Sequence, residues 1–330
     1  MTPNRLARLA LLLLAAPCLS AQVQAQSFPT KAMRLLVTVS PGGGPSLAST
    51  LLADQMGPLL GQTITVDHKV GGGGVPAILD IMNAPADGHT LIALDSQHWA
   101  IGPAMSKDLP YDTLRDLAPL GSVYKSVQVI VVTNAFPARD LKEMIELARA
   151  KPGTLQYAAL GGGSVHQLIM ESLKSATGVD IQHIPYKGGS QAIAGVLAGD
   201  VPIACAGLNN VLPFVQAGKM RILATTAGSR TKQNPEIPTV AEAVGLADFN
   251  FTGEMGLFTR AGVPRPVIEK LAATFRKAAA NPELVARAFK GGLTIDATTP
   301  EEMAETVRAD VKRFTQAVKV AGLGPAPAKR

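Results

Sequence analysis

Short apolar runs rich in β-branched residues recur along the chain. They are separated by stretches whose apolar positions repeat every three to four residues. The first pattern predicts strands at residues 34–39, 63–66, 90–94, 127–133, 156–159, 181–184, 201–206, 221–225 and 255–258. The second predicts helices such as 141–150, where Leu141, Met144, Ile145 and Ala148 share one face, and 191–197. The last helix has the clearest signature: Thr299 is placed to cap it, Pro300 suits its first turn and Glu302 completes a capping box. Its stripe of Met303, Val307, Val311, Phe314 and Val318 reads as core-facing. Alternation of strand and helix from end to end predicts an α/β fold built on parallel sheets.

Several strands run directly into a glycine-rich turn followed by a helix. Three such turns are Pro41-Gly42-Gly43-Gly44, Gly71 to Gly74 and Gly161-Gly162-Gly163-Ser164; a fourth is Tyr186-Lys187-Gly188-Gly189-Ser190. In open α/β sheets, ligands bind where strand C-termini meet helix N-termini. Glycine there leaves backbone N–H groups unobstructed, and the helix dipole favours an anion. These turns hold 12 of the 32 glycines.

Composition narrows the class. With 330 residues, 47% hydrophobic and 17% charged, the chain is too apolar for disorder, and its unperiodic glycines exclude a collagen-like rod. The length suits about two domains. Arg5 and Arg8 precede an apolar run at 9–16 that Pro17 breaks, and Val23 and Ala25 are small residues at −3 and −1 of a cleavage site. This predicts a secretory signal peptide at 1–25, cleaved after Ala25; the apolar run is too short to span a membrane. Pro17 before Cys18 disfavours a lipoprotein signal. Removal of 1–25 lowers the formal charge from +6 to +4 and leaves Cys205 as the only cysteine. No basic block remains, so the electrostatic footprint of a nucleic-acid-binding protein is missing.

Candidate chemistry is sparse. Gly72-x-Gly74-x-x-Ala77, with Asp95 further on, matches a dinucleotide fingerprint, but four consecutive glycines match many patterns, and export disfavours nicotinamide cofactors. The G-x-S-x-G elbow of hydrolases is absent. Ser164 and His166 lie close enough to suggest a nucleophile and base, yet a helix cap with a first-turn histidine explains them more simply. His68, His89, His98, His166 and His183 do not fall at metal-ligand spacing. Lys69 and Lys187, each beside a glycine turn, are candidates to attract a carboxylate, and His98-Trp99 a candidate to stack on a ligand. Places to hold an anion outnumber groups to transform it, which points to a binding protein without catalytic residues, metal or cofactor.

The chain resembles the extracytoplasmic solute-binding receptors of tripartite tricarboxylate transporters, the Bug-type receptors. The resemblance rests on Pro41-Gly42-Gly43-Gly44, the run Gly71 to Gly74, Ala86-Asp87-Gly88-His89-Thr90-Leu91, Leu109-Pro110-Tyr111-Asp112 and Tyr157-Ala158-Ala159. It continues through Gly163-Ser164-Val165-His166, His183-Ile184-Pro185-Tyr186-Lys187-Gly188, Ala217-Gly218-Lys219-Met220-Arg221, Ile237-Pro238-Thr239-Val240 and Ala261-Gly262-Val263-Pro264. It implies a two-lobe periplasmic binding protein of the type II-like, Venus-flytrap kind, closing on a small carboxylate through two crossover segments. The expected lobes are 26–124 with 251–330, and 125–250, the chain leaving the first near Lys125 and returning near Phe249.

Carried onto this sequence, the resemblance assigns ligand contacts to Ser40, Gly42, Gly43, Gly44 and Ser46. It adds Lys69, Gly72, Gly73 and Gly74, then His98 and Trp99. From the second lobe come Gly162, Gly163, Ser164, His166, Lys187, Gly188 and Asn209. Departures concern the ligand. Pro45-Ser46 stands where relatives have Thr-Asp, and His68-Lys69 where they have Asn-Arg. The missing Asp suggests a carboxylate without an α-amino group, and Trp99 an aromatic one. The implied protein is a periplasmic monomer that delivers solute to a permease or, alternatively, to a sensor, and binds no nucleic acid.

Overall fold

The structure, a computed structural model, describes residues 28–324 apart from 42–43, 107, 161–162, 187, 232–233 and 291–292. The signal segment and the candidates Gly42, Gly43, Gly162 and Lys187 lie outside the described residues.

In chain order the first half builds β1 (Met33–Val37), α1 (Gly44–Leu60), β2 (Ile64–His68), α2 (Val75–Asn83) and β3 (Thr90–Asp95). The short helices α3 (Gly102–Met105) and α4 (Thr113–Asp116) follow, then the long strand β4 (Leu117–Thr133). The second half builds α5 (Leu141–Ala150), β5 (Leu155–Leu160), α6 (Val165–Thr177), β6 (Ile181–Tyr186), α7 (Gly189–Ala198), β7 (Ile203–Gly207), α8 (Leu208–Gln216), β8 (Met220–Thr225) and α9 (Val240–Val244). The chain returns through β9 (Thr252–Arg260), α10 (Arg265–Ala279), α11 (Pro282–Lys290), β10 (Thr294–Ile295) and α12 (Pro300–Val320).

The strands pair in the order β2-β1-β3-β9-β4-β7-β5-β6, and β8 and β10 also pair with β4. Pairs within each flank, β1 with β2 and β3, and β5 with β6 and β7, are parallel as expected. The centre is not. β9 is antiparallel to both β3 and β4, and β4 is antiparallel to β7 and β8, so the sheet is mixed. The two central strands join the flanks without a crossover helix, and their direction follows from that long-range pairing rather than from local sequence.

β4 is 17 residues long, ten more than its apolar run suggests. Residues 117–127 pair with β9, whereas 128–133 pair with β7 and β8. Its first part holds Pro119, Gly121, Ser122 and Ser126, and register shifts interrupt it at Pro119/Gly121 and Ser122/Tyr124. Bulges of this kind spoil the period-two pattern that announces a strand. Alternate residues of each strand supply opposite cores. On β4, Ile130 and Val132 join a core with Tyr157, Ile203, Phe258 and Phe314, whereas Val129 and Val131 pack with Ala192, Val196 and Val211. A third core unites Met33 and Leu35 with Leu51, Leu52 and Phe275.

α12 begins as expected, with Thr299 and Glu302 making both arms of a capping box. Its stripe departs at one position: Val311 is exposed and Asp310 takes its place in the core. Burial pushes the Asp310 carboxyl up from its usual value, while Arg313 and Trp99 oppose the shift. Asp310 Oδ2 accepts the Trp99 indole N–H at 3.0 Å, and Oδ1 accepts from Arg313 Nη2 at 2.6 Å. Arg313 Nη1 in turn donates to the Asn250 carbonyl at 2.8 Å, tying the segment that returns into β9.

Replacing Trp99 by Phe strips Asp310 of a buried donor, and urea denaturation should show a loss of about 1–3 kcal/mol. Val311→Ala should stay within about 0.5 kcal/mol of wild type. Equal losses in the two variants would contradict the assignment of Asp310 to the core.

Candidate functional site

Strand C-termini and helix N-termini meet at a cleft of about 600 Å³ on the line where β4 changes partner. Its floor is β4 and β9. Successive side chains of a strand point to opposite faces, so Tyr124, Ser126 and Gln128 all turn to the cleft, joined by Gly253 and Glu254 of β9. One wall comes from the first half: Val39, Ser40 and Pro41 after β1, Gly44 and Pro45 opening α1, and Asp95, Ser96 and Gln97 at the end of β3. The other wall is Leu160, Val165 and His166 at α6, Gly188 to Ser190 at α7, and Gly207, Asn209 and Asn210 at α8.

Four helices therefore open towards one space. α7 and α8 are N-capped by Gly188 and Gly207, and neither cap contributes a side-chain hydrogen bond. Their first turns line the cleft without a side-chain cap, a ready anion site. α6 differs: Ser164 accepts from Gln167 N–H at 3.2 Å and donates its hydroxyl to the Leu160 carbonyl at 2.9 Å. With that proton committed, Ser164 is a cap rather than a nucleophile.

Polar groups on the floor are fixed by one another. Gln128 Nε2 donates to Ser126 Oγ at 2.9 Å, which turns Gln128 Oε1 towards His166 Nε2, also at 2.9 Å. An amide oxygen only accepts, so His166 carries its proton on Nε2 and leaves Nδ1 as a lone pair. Burial pushes the His166 imidazole down to about 4, against the opposing charge of Asp95. Asp95 Oδ1 lies 2.7 Å from His98 Nδ1 and accepts the Gln97 N–H. Burial raises the Asp95 carboxyl, but the charge and hydrogen bond of His98 and the Gln97 amide outweigh it, so the net shift is downward. Gly253 keeps this floor open, because a Cβ there would stand 3.2 Å from Gln128 Nε2.

Of the predicted site residues, Ser40, Gly44, His166, Gly188 and Asn209 line the cleft. Others sit elsewhere. Trp99 is 1% exposed, bonded to Asp310 and packed 5.8 Å from the Phe258 ring, so no ligand reaches its face. Lys69 does not wait for a carboxylate, since its Nζ lies 2.6 Å from Asp80 Oδ2. Ser46 is buried in α1 away from the lining, which removes the ground for excluding an amino group. Gly163 faces Met105. Gly72, Gly73 and Gly74 form a tight turn at positive φ into α2, and a Cβ on Gly74 would lie 2.3 Å from the His98 ring. That turn and His98 act at one remove, by seating the partner of Asp95.

Sequence inspection missed Tyr124, Ser126, Gln128, Gln97, Asn210 and Glu254. The available signal was a polar residue interrupting an apolar run: Gln128 within 127–133, and Glu254 just ahead of 255–258. Among the described residues, no group of three metal-ligating side chains gathers, and no helix is long and apolar enough to cross a membrane.

A mixed α/β chain in two halves, with helix N-termini opening onto the cleft between them, defines a solute-binding protein of the periplasmic class. The comparisons agree. Residues 49–323 match the tripartite tricarboxylate transporter family receptor profile. A solved structure described as a periplasmic transporter is 32% identical, covering 90% of this chain and 99% of its own, with a TM-score of 0.80. A Rhodopseudomonas palustris protein solved with adipate is 26% identical over 90% of this chain and 99% of its own, at TM-score 0.82. MatC of Rhodopseudomonas palustris, with bound malate, is 26% identical over 88% and 100%, at 0.78. This chain belongs to the tripartite tricarboxylate transporter receptor family, whose members are periplasmic solute-binding receptors rather than enzymes.

His166 makes the site sensitive to acid. Its folded value lies below the unfolded value of about 6.5, so its contribution to stability is complete above that pH and declines as pH falls towards 4. Urea midpoints measured between pH 7.5 and 5 should fall for wild type and fall less for His166→Gln. The half-buried His183, whose value is also lowered by desolvation, supplies the remainder. Identical slopes would contradict a neutral, desolvated His166 imidazole.

Proposed function

We propose that the mature protein captures a small carboxylate in this cleft, closes its two halves on it, and presents the closed form to a tripartite tricarboxylate permease. The observation that carries this is the pair of uncapped helix N-termini, α7 and α8, facing the cleft from one wall. First-turn amides without a side-chain cap need another acceptor, and a carboxylate supplies the anion that the helix dipoles favour. The adipate and malate held by the two relatives are carboxylates of a size for a cleft of about 600 Å³.

The moving bodies are 26–124 with 251–330, and 125–250. Supporting this division, β4 exchanges β9 for β7 and β8 between Val127 and Gln128. A ligand that touches both bodies only when they are closed shifts the population towards the closed form, and a membrane partner recognises that form. Export through the signal at 1–25, cleaved after Ala25, delivers the receptor to the periplasm. Burial of Trp99 removes the reason to expect an aromatic solute.

Thermal shift of the mature protein against a panel of carboxylates tests the proposal. A cognate solute at a hundredfold excess over its Kd should stabilise by about 2.7 kcal/mol. Mass spectrometry should find the same compound released when natively purified protein is denatured. No stabilisation by any carboxylate, and none released, would overturn the proposal.

A further inference from the structure

Helix N-termini satisfy the carboxylate end of a solute, but two acceptors beside the cleft floor lack a donor. Glu254 lines the cleft, is 8% exposed, and its Oε1 has no hydrogen-bond partner among the described residues. His166 Nδ1 is closed off from solvent and equally without a partner, because the ring's proton is spent on Gln128. Among the described residues no cation is bonded to Glu254. Lys125, its register partner across β4 and β9, puts its ammonium 2.6 Å from Asp296 instead. Other described charged groups near the floor are committed as well: Asp95 to His98, and Asp310 to Trp99 and Arg313. Burial pushes the Glu254 carboxyl up, while Ser122 and the charge of Lys125 pull the other way.

A solute made only of carboxylates brings more acceptors to these two. It would leave buried lone pairs unsatisfied and set like charge near Glu254, each at a cost in affinity. We propose that Glu254 and His166 Nδ1 form an acceptor subsite that selects carboxylates also bearing a hydrogen-bond donor, a hydroxyl or ammonium group. The subsite rests on the carboxylate-receptor proposal above. One end of the solute is held by amides of α7 and α8, and its donor is read by the floor.

Matched triplets test this by titration calorimetry: an unsubstituted acid, its 2-hydroxy form and its 2-amino form, as in succinate, malate and aspartate. The series extends to longer chains and to an aromatic acid. In wild type, a donor-bearing member of the preferred triplet should bind at least about tenfold tighter than its parent, as expected where buried acceptors would otherwise go unpaired. Glu254→Ala should erase that preference by tightening the parent acid, which no longer meets a like charge, relative to its donor-bearing derivatives. Glu254→Gln, which keeps an acceptor but loses the charge, should spare a hydroxyl preference and abolish an ammonium one. Parents binding wild type as tightly as their derivatives would overturn the subsite and leave the carboxylate receptor standing. An equal fall for all three members in Glu254→Ala would do the same. Binding of no carboxylate at all would remove the receptor proposal and the subsite with it. If the variants do not fold, the wild-type triplets decide alone.

Discussion

One strand, β4, is hydrogen-bonded into both halves of the molecule, and the cleft is referenced to it. A strand's N–H and C=O groups must be paired when buried. β4 meets that requirement against β9 up to Val127 and against β7 and β8 beyond it. The change of partner leaves room above the strand where the two sets of helices come together. Strand periodicity then decides which side chains face that room: Tyr124, Ser126 and Gln128 turn one way, whereas Val127 and Val129 pack into a core. The polar face of one strand thus becomes the floor of the site without any loop having to be ordered for it.

The walls depend on supports that never touch a solute. Gly74 lets the His98 ring approach the α2 turn, and His98 holds Asp95 at the cleft edge. One residue further on, Trp99 is pinned by Asp310, and Arg313 extends the chain of contacts to Asn250. α12 therefore grips the turn that carries Gln97 and the segment that leads back into β9. These second contacts explain how distant parts of the chain fix an arrangement built from short glycine turns.

Local signals in the sequence were legible and non-local ones were not. The helix 141–150 and the Thr299 capping box matched because both depend on residues within a few positions of one another. The first ten residues of β4 went unread because Pro119, Gly121, Ser122 and Ser126 break the apolar pattern while pairing holds the strand extended. Strand direction at the centre escaped for a related reason, since β4 and β9 pair across the whole intervening second half of the chain. Asp310 in place of Val311 is intelligible only once Trp99, 211 residues away, supplies its donor. Within the site, closeness in sequence to a glycine turn misled: Lys69 is such a residue, yet it belongs to Asp80. Gly188 and Asn209 were legible because they open helices after strands, and the position of such turns at a cleft is general to α/β sheets.

The central claim is that the uncapped amides of α7 and α8 hold the carboxylate of a solute. A crystal structure of the natively purified, mature protein with its co-purified or added solute tests this most directly. The expected result is a carboxylate accepting hydrogen bonds from first-turn N–H groups at Gly189–Ala198 and Leu208–Gln216, with the two halves closed around it. A solute whose carboxylate is bound elsewhere, with those amides facing only water, would contradict the account.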